Sequence, residues 1–367
     1  MVISLKSSTP KMLLLGGYGW SASSPLAYTL SRNCKYCHFG YTKDMRYLEY
    51  KHSRLIKDHN KTPTRQLQHI YNLLQSNSYT NWESSIGHKM NLNVDMDILQ
   101  DFPLVHLEKL LTGHTTSTKL INFYKELYYH ISQRGYKSVA DAFTGTFVRS
   151  PNRLHKTYFK NLVREFDTKF IFIFRDPVRR AFGESLRHYK QYLNRKNNCD
   201  DIVSELSLPS YRNTFPPSKG SVLPDTTYQE FLDQNNWNSG FRKIDYIGNL
   251  IKAQQIFGQN RVHCVIMEEL WEGNGTSTLS QFLDHPIDNL WPNAYAPDSG
   301  HLIESFPDSP CQSDGMSLQA LTPPLYRNIK RIFQSVYDEW EQYFGSLPLF
   351  WGEPLKYPEG RPTGTTA

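Results

Sequence analysis

The segment from residue 169 to residue 181 reads KFIFIFRDPVRRA, and it decides the fold class. Residues 170–174 are apolar without alternation, which is typical of a parallel strand buried on both faces. Asp176 is a good helix N-cap, and Pro177 is well suited to a first helical turn. The segment therefore predicts a buried strand, a turn at Arg175 and a helix that begins directly afterwards.

Similar apolar runs recur along the chain. The first, at 12–15, is followed by Gly16-Gly17 and by a helix that opens at Pro25. Further strands are predicted at 37–42, 138–141 and 262–267, and helices at 101–111, 118–133, 154–166 and 244–257. Helices that alternate with apolar strands predict an α/β fold with a central parallel sheet covered on both faces.

The remaining segments define the expected organisation of the chain. One long C-terminal helix is predicted from residue 323, with a core face formed by Leu325, Ile329, Ile332, Val336 and Trp340. The stretch 197–243 is rich in Asn, Ser and Pro, which predicts a surface insertion or a lid. Residues 1–10 and 346–367 are expected to be tails on either side of one domain, 11–345.

The composition limits the classes of function. A formal net charge of +6 is too small for a protein that coats nucleic acid, but it suits anionic ligands. Five cysteines do not suggest a disulfide framework and fit a reducing compartment. No apolar run approaches the ~18 residues needed to span a membrane. We expect a cytoplasmic protein without stable membrane insertion, or one in the Golgi lumen if an N-terminal anchor has been removed.

Arg175 is the strongest candidate for a ligand-binding residue. It follows the predicted strand 169–174 at its carboxyl end, where open α/β sheets bind ligands. Its guanidinium would lie beside a helix N-terminus, and the two together can bind a phosphate group. The alternative is that Asp176-Pro177 is only a helix cap and that Arg175 is a surface residue. The local sequence favours neither interpretation.

The segment 175–181, RDPVRRA, resembles the 3'-phosphate-binding segment of sulfotransferases that use 3'-phosphoadenosine 5'-phosphosulfate (PAPS). The resemblance implies that Arg175 holds the 3'-phosphate. Gly183 stands where the family has a serine, so Ser185 would supply the hydroxyl. It also implies a three-layer fold of the P-loop nucleotide-kinase type.

The first strand-to-helix turn would then hold the 5'-phosphosulfate, although it lacks the lysine that the family has there. Its small residues let backbone N–H groups approach a phosphate. The residues concerned are Gly19, Trp20, Ser21, Ala22, Ser23 and Ser24.

The segment 43–48, KDMRYL, is similar to the Lys-Glu-x-His-Phe-Phe segment of heparan-type sulfotransferases. Asp44 would be the base that takes the proton of the acceptor hydroxyl, and Lys43 would replace part of the function of the absent lysine. The resemblance therefore implies a carbohydrate or another hydroxyl compound as the acceptor, with PAPS as the donor and no metal. Asp141 would match an acidic residue that ends a strand in this family.

Two other classes of function remain open. A P-loop kinase with a degenerate loop would share the sheet, but it would need a Gly-Lys-Ser/Thr sequence for phosphates and Mg²⁺. A nucleotide- or glycan-binding module without catalysis would also fit the missing lysine. The sequence Cys34-Lys35-Tyr36-Cys37-His38 has the spacing of a haem attachment site, although buried thiols are the better interpretation.

Overall fold

A computed structural model describes residues 9–18, 26–27, 29–40, 102–111, 117–144, 153–181, 244–271, 275–287 and 323–353. The chain divides into two compact units. The first unit contains the described residues up to Arg175 and those from Asp245 to residue 287. The second unit contains the described residues from Asp176 to Ile244 and those in 323–353. The prediction of one domain over 11–345 stays a prediction.

The first unit contains a five-stranded parallel sheet with the strand order β2-β3-β1-β4-β5. The strands are β1 (Lys11–Gly17), β2 (Cys37–His38), β3 (Ser138–Thr144), β4 (Asp167–Phe174) and β5 (Val262–Ile266). The described α-helices of this unit are α1 (Leu104–Leu111), α2 (Ser117–Ser132), α3 (Arg153–Glu165), α4 (Tyr246–Phe257), α5 (Met267–Trp271) and α6 (Thr276–Leu283), together with a π-helical turn at Thr29–Asn33 and a 3-10 turn at Gln259–Arg261. The predicted α/β class with a central parallel sheet is confirmed.

One face of the sheet packs against the last helices of the first unit. Leu13, Leu15 and Ile171 on this face are fully buried. They belong to one apolar cluster with Leu279 and Leu283 of α6. Because successive strand residues point to opposite sides, both faces of β1 and β4 require apolar side chains. This requirement explains the unbroken apolar runs in the sequence.

The opposite face is covered by α2, α3 and α4. The ring of Phe170 in β4 stacks on Phe257 of α4, with 5.0 Å between the ring centroids. Phe257 in turn meets Phe159 of α3 edge to face at 5.4 Å. Helices therefore cover both faces, and the first unit has three layers.

Gly16 and Gly17 are required by the packing of β1 against β4. A methyl group at Gly16 would overlap the ring of Phe170. Gly17 has a φ of +145°, and a Cβ there would lie 2.6 Å from the Ile173 carbonyl oxygen. The pair that ends β1 is thus explained by close contact between strands, independently of any ligand.

The second unit contains a helical segment at 177–181 and two further helices, α7 (Pro323–Ile332) and α8 (Gln334–Phe344). The prediction of one long C-terminal helix is wrong, because the helix is interrupted at Phe333. The Phe333 N–H donates to the Lys330 carbonyl at 2.9 Å, which is a tightened helical turn. Residues 346–353, assigned to a tail from the sequence, include the buried Trp351, whose ring centroid lies 4.6 Å from that of Trp340.

Two sequence-based boundaries differ from the structure. The strand predicted at 37–42 is limited to Cys37–His38, and Gly40 has a φ of +69° that an extended strand does not adopt. Asp141 was expected to end its strand but lies in the middle of β3. Among the described helices, none is both long enough and apolar enough to cross a membrane.

Candidate functional site

The parallel strands of the first unit direct their carboxyl ends to one edge of the sheet. β1 and β4 are neighbours, and Gly17 is paired with Ile173 near their ends. Tyr18 follows β1, and Arg175 follows β4. Both residues therefore lie at the carboxyl edge, where open α/β sheets bind ligands.

Arg175 is held close to this edge by its backbone. Its carbonyl oxygen accepts a hydrogen bond from the Tyr246 hydroxyl at 2.7 Å. Its side chain is only 9% exposed, which is unusual because arginine is mostly found at the surface. The alternative of an exposed surface arginine is therefore excluded by its burial. A nearly buried guanidinium at this edge suits bidentate binding of an anion.

Tyr18 is fixed by the start of α4. Its hydroxyl oxygen accepts hydrogen bonds from the Asp245 backbone N–H and from Asn249 Nδ2, each at 2.7 Å. Asp245 also caps α4, since its carboxylate accepts the Gly248 N–H at 2.6 Å. The rings of Tyr18 and Tyr246 meet edge to face at 5.1 Å. The first turn of α4 therefore contacts the residues that follow both β1 and β4.

The structure describes one of the predicted site residues. Arg175 lies at the carboxyl edge, as the sequence predicts. The others lie outside the described residues: the turn of Gly19, Trp20, Ser21, Ala22, Ser23 and Ser24, the pair Lys43 and Asp44, and the positions Gly183 and Ser185.

The predicted N-cap role of Asp176 is confirmed in the second unit. Its carboxylate accepts the Arg179 N–H at 2.9 Å. The Arg179 guanidinium donates to the carbonyl oxygens of Phe350 and Glu353, at 2.8 Å and 2.9 Å. Arg175 thus follows β4 at the carboxyl edge of the sheet, and Arg179 stabilises the fold of the second unit.

Asp141 is a buried carboxylate inside the sheet. It accepts hydrogen bonds from the Tyr124 hydroxyl of α2 and from the Ala142 N–H. Burial, together with the charge of Asp141, raises the pKa of Tyr158 well above its ordinary value. These partners are core residues, so these hydrogen bonds of Asp141 connect elements of the core.

The described cysteines are free thiols, of which Cys37 is buried and Cys34 and Cys264 are partly buried. Cys37 is fully buried in β2, and burial raises the pKa of its thiol. His38 is also buried, and its Nδ1 accepts the Gly40 N–H at 3.0 Å. Within the residues that the structure describes, no three His, Cys, Asp or Glu side chains are grouped as metal ligands.

Sequence reasoning missed Tyr18, Asp245, Tyr246 and Asn249. The order Asp245-x-x-Gly248 is a recognisable helix cap. By contrast, the bonds that connect Tyr18 to Asn249 span 231 positions, and the bond between Tyr246 and Arg175 spans 71. Such long-range pairs leave no local pattern in a single sequence.

Comparison with known proteins gives matches among solved structures. No protein-family model matches the chain, and no curated protein matches it. The sulfotransferase domain from the curacin biosynthetic pathway has 12% identity and a TM-score of 0.42, over 90% of this chain and 98% of that one.

Two further structures match over a similar length. A sulfotransferase from Alicyclobacillus acidocaldarius has 13% identity and a TM-score of 0.38, over 89% of this chain and 96% of that one. The sulfotransferase domain of the Synechococcus PCC 7002 olefin synthase has 12% identity and a TM-score of 0.41, over 90% and 96%.

Proposed function

We propose that this protein transfers a sulfuryl group from PAPS to an acceptor hydroxyl of a carbohydrate. The observation that carries the proposal is the position of Arg175. It begins the segment that resembles the 3'-phosphate-binding segment of sulfotransferases. It also follows β4 at the carboxyl edge of a parallel sheet, and its carbonyl is bound by Tyr246.

Arg175 would hold the 3'-phosphate of the donor. A guanidinium offers two parallel N–H groups that match two phosphate oxygens, and this geometry favours phosphate over a single-charge ligand. Its low exposure strengthens the interaction, because nearby water screens less of the charge. Ser185 or the backbone of Gly183 would complete this end of the site, as the resemblance implies.

The remaining roles rest on the resemblance alone. The turn Gly19–Ser24 and Lys43 would hold the 5' end of the donor. The acceptor oxygen attacks sulfur in line, and its new bond forms as the bond from sulfur to the 5'-phosphate oxygen breaks. Asp44 takes the proton of the acceptor hydroxyl. The products are a sulfate ester and 3'-phosphoadenosine 5'-phosphate (PAP), and the chemistry requires no metal.

Calorimetric binding of PAP in the presence of EDTA tests the donor site. Arg175→Ala should weaken binding more than tenfold, because it removes a charge-assisted bidentate contact worth about 1.5–3 kcal/mol. Arg175→Lys should recover only part of the affinity, since lysine keeps the charge without the planar fork. Arg331→Ala is the matched control, because Arg331 is exposed on α7.

The same titrations separate the competing functions. A higher affinity for ATP with Mg²⁺ than for PAP, together with observed phosphoryl transfer, would favour the kinase. PAP binding without transfer of labelled sulfate from PAPS to a panel of glycans and simple alcohols would favour the binding module. Folded wild-type protein that does not bind PAP would overturn the proposed donor.

A further inference from the structure

We propose that Tyr246 and Tyr18 are positioning residues, and that the first turn of α4 connects the two phosphate-binding ends of the donor site. This inference rests on the proposed function, since it assigns the 3'-phosphate to Arg175 and the 5'-phosphosulfate to the turn that begins after Tyr18. It concerns residues to which neither the sequence segments nor the resemblance gives a role.

The Tyr246 side chain is confined on several sides. Its hydroxyl donates to the Arg175 carbonyl at 2.7 Å. Its ring meets Tyr18 and Phe174 edge to face, with 5.1 Å between centroids in each pair. The side chain is 1% exposed. A side chain confined in this way has little freedom to move, so its hydroxyl fixes the backbone from which the Arg175 side chain extends.

Tyr18 is confined by a second set of contacts from the same helix turn. Its hydroxyl oxygen accepts both the Asp245 N–H and the Asn249 amide. Asn249 is 2% exposed, and its Nδ2 also donates to the Asp245 carbonyl at 2.6 Å. Residue 18 is the last described residue before the turn 19–24. Tyr18, the residue that follows β1, is therefore attached to α4.

The helix turn that makes these contacts is itself well defined. The Asp245 carboxylate folds over the helix end and accepts the Gly248 N–H at 2.6 Å. A methyl group at position 248 would overlap the Asp245 carboxylate oxygens. Glycine at 248 thus allows the cap to close and leaves the Asp245 N–H directed at Tyr18.

The consequence is that one rigid element sets two positions at the sheet edge. The residue after β1 and the residue after β4 are both hydrogen-bonded to residues 245–249. A donor with a phosphate at each end must contact both positions at a fixed separation. Positioning of this kind lowers the cost of binding, because the protein groups are ordered before the ligand arrives.

The test is a double-mutant cycle on PAP binding by calorimetry. Tyr246→Phe should weaken PAP binding about fivefold, since it removes one hydrogen bond to the Arg175 backbone. In the Arg175→Ala background the same change should have little further effect, because its influence passes through Arg175. A purely structural role would weaken binding equally in both backgrounds, and that result would overturn the proposal.

A second ligand separates the two tyrosines. Adenosine 5'-phosphosulfate lacks the 3'-phosphate, so its affinity should be unchanged by Tyr246→Phe and reduced about fivefold by Tyr18→Phe. Equal affinities of Tyr18→Phe and wild type for both ligands would overturn the role of Tyr18. Should Tyr246→Phe not fold, Asn249→Ala tests the Tyr18 contact in its place, and a wild-type affinity of that variant for adenosine 5'-phosphosulfate would overturn the inference.

Tyr124→Phe is the matched control. It also removes a buried tyrosine hydroxyl, but one that donates to Asp141 in the core. It should reduce thermal stability and leave PAP binding unchanged. If the wild type does not bind PAP, the proposed function fails and the inference fails with it. If the wild type binds and Arg175→Ala does not, while both tyrosine variants bind normally, only the inference fails.

Discussion

Asp141 and Asp176 are both fully buried, and each accepts hydrogen bonds from tyrosine hydroxyls. They belong to different units and use partners at very different distances along the chain. The tyrosine bound to Asp141 is 17 positions away, on the preceding helix. Asp176 accepts from Tyr326 and Tyr337, which are 150 and 161 positions away.

The difference shows what each carboxylate stabilises. Asp141 attaches α2 to β3. These two elements are neighbours in sequence as well as in space. Asp176 also accepts the Arg179 N–H at 2.9 Å and the Gly352 N–H at 3.2 Å. It therefore brings together segments of the second unit that the chain itself does not keep close. A buried carboxylate is tolerated only where donors surround it, and here the donors come from α7, α8 and residue 352.

The largest expected effect is that of Asp176→Ala. Four described donors lose their acceptor, so the free energy of unfolding should fall by about 3–5 kcal/mol. Urea unfolding followed by tryptophan fluorescence measures the loss, because Trp340 and Trp351 are buried in the same unit. Asp338→Ala is the control, since Asp338 is an exposed aspartate of α8.

Asp141→Ala should have the next largest effect. It leaves the Tyr124 hydroxyl and the Ala142 N–H without their acceptor, for a loss of about 2–3 kcal/mol. Hydrogen exchange should localise the loss to α2 and β3, while α7 and α8 keep their protection. Equal losses in the two alanine variants would break the comparison, because they would show that the remote partners of Asp176 add nothing.

Tyr337→Phe should have the smallest effect, about 1 kcal/mol at neutral pH. Its effect on the pH dependence is more informative. Burial, followed by the charge of Asp176, raises the pKa of Tyr337 well above the ordinary value of 10.0. As the pH rises, the unfolded chain therefore loses this proton before the folded chain does. The contribution of Tyr337 to the free energy of unfolding is complete below pH 10.0 and falls as the pH rises above that value.

Urea unfolding at a series of alkaline pH values measures that dependence. Each such tyrosine should contribute a decline of up to about 1.4 kcal/mol per pH unit. Tyr337→Phe should make the decline shallower. An unchanged slope in Tyr337→Phe would show that folding does not raise the pKa of the Tyr337 hydroxyl.

The sequence predicts the parts of the fold that depend on neighbouring residues. The apolar runs at 12–15 and 170–174 identify the central strands, and Asp176-Pro177 identifies a helix start. The break at Phe333 escapes the same reasoning, because apolar spacing continues through it from Ile329 to Val336. Periodicity reports which side of a helix is buried, and it does not report whether the backbone turns between two helices that share that side.

The candidate site follows the same rule. Arg175 is identified by its immediate context of strand, turn and helix. Tyr18 and Tyr246 are identified only by three-dimensional contacts, since their partners belong to other elements. A tyrosine after the Gly16-Gly17 pair that ends β1 has no distinctive pattern, and its two accepted hydrogen bonds become visible only in the folded chain.

The bonds from Asp176 to the last described segment also set an order of events during synthesis. The Arg179 N–H emerges three residues after Asp176, so the helix cap can form at once. The Gly352 N–H is 176 positions away and becomes available about 9–35 s later at ordinary rates of translation. Tyr326, Tyr337 and Gly352 are added to the chain in that order within this interval, so the hydrogen bonds around Asp176 can be completed only after residue 352 has been made.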